Sequence, residues 1–79
     1  MTPLPALGVR HVYAVAERPE VSVEVDGDWH RGVLRKWSQD LTGAWWGSVA
    51  WGRSAGSRFL DTFPADRIRS DTDEARPPA

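Results

Sequence analysis

Apolar and polar residues alternate one by one from Val21 to Asp26, with Val21, Val23 and Val25 set against Ser22, Glu24 and Asp26. A period of two belongs to an extended strand with one dry and one wet face. VSVEVDG (21–27) therefore predicts a β-strand closed by a turn at Asp26-Gly27. The next segment, WHRGVLRKWS (29–38), has a strand's composition but mixed parity. Trp29, Val33 and Trp37 share one face, while Gly32 and Leu34 share the other. That pattern suits a strand bent around a small core, with Gly32 permitting the bend or a close backbone approach.

The rest of the chain follows the same grammar. SQDLTG (38–43) reads as a hairpin loop, AWWGSVAWG (44–52) as a third strand and RSAGS (53–57) as another turn. RFLDTF (58–63) is a fourth strand, 64–66 a single tight turn and RIR (67–69) a short closing strand. HVYAVA (11–16) reads as a first strand or a docked extension. Pro19 ends it by biasing Arg18 to extended or turn geometry. Helical periodicity and internal repeats are absent. Residues 1–19 are thus an N-terminal extension and 20–69 the folded body. The acidic, proline-containing stretch 70–79 is predicted to be disordered. Five short strands with polar turns predict an all-β fold, a small five-stranded antiparallel barrel.

Two stretches carry a resemblance. GDWHRGVLRKW (27–37) resembles the Tudor-type pattern of glycine, large hydrophobic, aromatic, small residue and branched aliphatic at these spacings. FLDTFPADRI (59–68) resembles the end of SH3-like barrels, where Phe-Pro leads into a one-turn 3-10 helix and a short last strand. Together they cover about residues 20–69, and they imply an SH3-like (Tudor-like) barrel. In the Tudor-like comparison, Trp51 matches the cage aromatic at the end of the third strand. His30 stands where methyl-lysine readers carry another aromatic. The acidic, tyrosine-rich opening of proline-peptide SH3 domains is absent.

Strand parity assigns roles to the tryptophans. Trp45, Gly47, Val49 and Trp51 face one way; Trp46, Ser48 and Ala50 face the other. The first set is the more apolar and is predicted to build the core, with Trp51 reaching the rim. Trp46 then points outward, covered either by residues 9–16 through Tyr13 or Val15, or by another molecule. Trp29, Trp37, Phe59, Leu60 and Phe63 are further core predictions. A chain of 79 residues removes only about 60% of its unfolded surface from water on folding, so its core must rely on such large side chains.

Charge and chemistry narrow the function. The 10 basic and 11 acidic residues are unevenly spread. Residues 1–30 and 70–79 are acidic in balance, whereas 31–69 are basic. Cysteine is absent, which excludes disulfides and thiolate metal sites. His11 and His30 alone make a poor metal set. No nucleophile elbow, P-loop or dinucleotide fingerprint occurs, so neither an enzyme nor a cofactor is expected. No stretch has the roughly 18 apolar residues of a membrane span, and the N-terminus lacks a basic n-region. The reading is a cytoplasmic protein, its arginine-rich composition suggesting a bacterial source.

What remains is recognition. Trp46, Trp51, His30, Arg31, Arg35, Arg53 and Arg58 are the candidate binding residues, since tryptophan and arginine dominate interface hot spots. A protein or peptide partner ranks first. Nucleic acid held by arginines on phosphates with tryptophan stacking is the alternative, and a self-associating dimer is the third.

Overall fold

The computed structural model describes residues 5–53, 56–70 and 76–77. Expectations for 71–75 and 78–79 of the tail, and for residues 54–55 of the 53–57 turn, lie outside the described residues. Six strands form one antiparallel sheet: β1 Gly8–Val12, β2 Glu20–Val25, β3 Asp28–Gln39, β4 Trp45–Trp51, β5 Phe59–Pro64 and β6 Ile68–Arg69. Short 3-10 turns at Val15–Glu17 and Ala65–Arg67 precede β2 and β6. No described helix is long and apolar enough to cross a membrane.

The twelve-residue β3 organises the sheet. One of its edges pairs with β2 over its first half and with β1 over its second, while β4 takes the other edge. The sheet order is β5-β4-β3-β2-β6, with β1 paired to β3. Its outer strands β5 and β6 are joined by no ladder among the described residues, so hydrogen bonding does not close the predicted barrel. The sheet nevertheless curls. Ile68 on β6 reaches over Gly47 on β4, so closely that a methyl at Gly47 would lie 2.5 Å from Ile68 Cδ1.

The β2–β3 hairpin forms where the alternating strand meets Asp26-Gly27. Both residues adopt positive φ, 53° and 85°, the mirror-image turn whose twist matches flanking strands. Val21 and Val23 then enter the core beside Leu34, Trp37, Val49, Trp51 and Phe63. Leu34 and Trp37 lie three apart yet both point inward. The register slips between Leu34 and Lys36, and a bulge of one residue switches the inward parity of β3. Gly32 provides the close approach anticipated for it, as a Cβ there would sit 2.7 Å from the Ala50 carbonyl oxygen.

Several core assignments change as a result. Trp29 stands ahead of the bulge on the face opposite His30. It is half-buried, and the Arg69 guanidinium lies 3.8 Å from its ring centroid. Leu60 pairs with Ala50 on the outward parity and is 59% exposed. Phe59 has the inward parity but begins an edge strand, which leaves it 44% exposed. The first strand is Gly8–Val12 rather than 11–16, because pairing with β3 selects residues that propensity alone does not. Tyr13 extends that pairing by one bond, donating its N–H to the Arg35 carbonyl at 3.0 Å.

Candidate functional site

The predicted binding residues fall in four places. At one end of the sheet, Trp51 is buried and donates its indole N–H to Asp61 Oδ2 at 2.9 Å. His30 and Phe59 pack on it at centroid distances of 5.2 and 4.9 Å. Arg53 places its guanidinium 5.7 Å from the Trp51 centroid and is tied to Asp26 at 2.8 Å. A cation therefore already sits on this indole, and it is the chain's own. Arg58, one residue before Phe59, is exposed at this same end, whereas Arg31 lies elsewhere, in an exposed pair with Glu20 at 3.4 Å.

Trp46 belongs to the opposite end and is half-buried. Its indole N–H donates to Asp40 Oδ2 at 3.1 Å. The other carboxylate oxygen, Oδ1, accepts from the Thr42 backbone N–H at 2.8 Å, the Thr42 hydroxyl at 2.6 Å and the Ala44 N–H at 3.0 Å. The Thr42 hydroxyl and then the Trp46 indole are the main reasons Asp40 titrates at about 2 instead of 3.8. The N-terminal segment does fold back, but Tyr13 meets Trp37: the Trp37 indole donates to the Tyr13 hydroxyl at 3.2 Å.

Arg35 opens the fourth place. Cross-strand register builds two rows on the face of the sheet turned away from the core. One runs Val9, Ser38, Trp46, Pro64 and the next Val12, Lys36, Ser48, Thr62. Ser48 and Thr62 are hydrogen-bonded through their hydroxyls at 3.3 Å, and Ser38 and Ser48 are small, buried members of their rows. A groove of about 580 Å³ crosses this face. Its apolar lining is Val9, Val12 and Leu60, between 54% and 62% exposed. Its charged lining is Arg18, Arg35 and Lys36.

The β3 bulge explains that cluster. In a regular strand, adjacent residues point to opposite faces, yet Arg35 and Lys36 line the same groove. The extra residue between Leu34 and Lys36 re-aims one of them. Arg18 arrives from the 3-10 turn ahead of β2. It is held there because buried Pro19 accepts the Leu34 N–H at 2.9 Å.

Sequence reasoning named Arg35 for binding but left out Arg18, Val9, Val12 and Ser48, and it placed Leu60 in the core. The pairing of β1 with β3, which assembles the groove, has no local signal. Among the described residues, no group of three or more His, Asp or Glu is placed to hold a metal ion. No family model matches the chain, and comparison with curated proteins and with solved structures yields no match either.

Proposed function

We propose that this protein is a non-catalytic interaction module that binds another protein or a peptide on the groove face of the sheet. One observation carries the reading: exposed Val9, Val12 and Leu60 share a 580 Å³ groove with Arg18, Arg35 and Lys36. Aliphatic surface beside fixed donors is the composition of a recognition site, in which the first supplies affinity and the second orientation. Unpaired sheet edges at β1 and β5 flank the groove among the described residues, and an extended segment can add to such an edge.

The fold reading belongs with it. Phe63-Pro64 leads into the 3-10 turn Ala65–Arg67, and β6 returns to pair with β2. With Ile68 over Gly47, this order supports a small barrel of SH3-like (Tudor-like) type. The Trp51 end has a weaker claim to a ligand, since its aromatic rings pack on one another and on Arg53.

A random-peptide display library selected against the whole chain tests the function. Leu60→Asp serves as the comparison, because Leu60 is too exposed to support the core. Peptides that enrich on the native chain and are lost on Leu60→Asp bear the proposal out. It fails if no peptide enriches. It also fails if the face is instead occupied by a second copy, seen as a mass that rises with concentration. An oligonucleotide held with steep salt dependence through Arg35 and Lys36 would likewise overturn it.

A further inference from the structure

The groove also has a charge preference, and this inference rests on the peptide-binding reading above. We infer that its occupant is an acidic segment in extended conformation, with one carboxylate among Arg18, Arg35 and Lys36 and a neighbouring aliphatic side chain on Leu60. Among the described residues, every charged residue lining the groove is a cation. The nearby Glu20 is engaged with Arg31 instead. Three like charges gathered by a bulge and a proline-fixed turn repel one another, and an anion between them relieves that repulsion. Two guanidinium groups and one ammonium group lining a single groove would give a carboxylate charge-assisted hydrogen bonds.

The rest of the lining selects the kind of anion. Val9, Val12 and Leu60 are aliphatic, and among the described residues no aromatic ring lines the groove, which disfavours the stacking of nucleic-acid bases within it. The groove spans four strands, β1, β3, β4 and β5. Three strand spacings of about 4.8 Å give about 14 Å, the length of about four extended residues. Side chains two apart in an extended segment share a face, so a Glu-x-Leu spacing would place a carboxylate at the cations and a branched aliphatic toward Leu60.

Calorimetric titration of the whole chain with acetyl-Ala-Glu-Ala-Leu-Ala-Glu-amide, and with its glutamine counterpart, tests this. The acidic peptide should bind at least about tenfold more tightly. That gap should narrow as sodium chloride rises from about 50 to about 500 mM, and it should vanish in Arg18→Gln/Lys36→Gln. If the double variant does not fold, Lys36→Gln alone should narrow the gap, because Lys36 belongs to an outward row. Equal affinity for the two peptides, with both lost on Leu60→Asp, would overturn the charge preference while leaving peptide binding intact. Absence of binding by these and by every library peptide would remove both readings. Tighter binding of octathymidylate than of the acidic peptide would overturn the preference in favour of nucleic acid.

Discussion

The indole N–H of Trp46 and the hydroxyl of Thr42 meet opposite oxygens of one carboxylate, Asp40, at 3.1 and 2.6 Å. A loop residue thereby fixes both the β3–β4 turn and the outward-facing tryptophan beyond it. Gly43, with φ 88°, completes the turn by donating its N–H to the Asp40 carbonyl at 3.1 Å. Trp46 needs no partner to hold its polar end.

The pH dependence follows from that carboxylate. Asp40 titrates at about 2 in the fold against 3.8 ordinarily, so folding favours its ionised form. Its contribution is fully present above the unfolded value and is lost as the pH falls through 3.8 toward about 2. Urea midpoints measured from about pH 6 down to about pH 2 should decline over that window. Asp40→Asn should remove the part of the decline due to this group, and Trp46→Phe should reduce it.

A side chain at Gly47 is predicted to force its neighbours to shift. A methyl there would meet Ile68 Cδ1 at 2.5 Å, Leu34 Cδ1 at 3.0 Å and Trp37 Cζ3 at 3.1 Å. Overpacking of this kind costs about 1–3 kcal/mol. Gly47→Ala should lower the chemical denaturation midpoint by a corresponding amount, with the slope unchanged. Gly8→Ala, where nothing lies within 4 Å, is the control and should be close to neutral.

Tyr13→Phe tests the docking of the N-terminal segment. It leaves the Trp37 indole N–H, in a side chain 1% exposed, without the hydroxyl that now accepts it at 3.2 Å. The expected loss is about 1–3 kcal/mol. Amide exchange of Val12 and Tyr13 should quicken in the variant if the strand loosens with the bond.

Trp51→Ala should be far more damaging than Trp46→Ala. Trp51 is 5% exposed, packed on His30, Phe59 and Phe63 and bonded to Asp61. Truncation of a buried tryptophan costs about 3–5 kcal/mol, a large share of the roughly 5–15 kcal/mol that stabilises a whole domain. Thermal melts followed by far-ultraviolet circular dichroism will rank the two. Comparable losses would mean that Trp46 is as structural as Trp51.

Much of the fold was legible because its signals are local. Val21, Val23 and Val25 declare an inward face by alternation alone, Asp26-Gly27 declares the turn, and Pro64 declares a tight turn after the strand that carries Phe63. The site was only partly legible. Arg35 and Lys36 are plainly basic, but adjacent residues in a strand are expected on opposite faces, and only the bulge puts them in one groove. Arg18 reads as a break between elements, because most of the residues that line the groove with it are distant in sequence.

The sequence by itself determined the all-β class, the turn at Asp26-Gly27 and the inward parity of Trp45, Gly47, Val49 and Trp51. These follow from the two-residue period of a strand and the dihedral freedom of glycine. Tertiary structure alone decided where β3 changes parity, that β1 joins its edge at Gly8–Val12, and that Phe59, Leu60 and Trp29 lie outside the core. Each of those outcomes depends on which strand lies alongside. Pairing between segments far apart in the chain is set by how the whole core packs, and no local pattern records it.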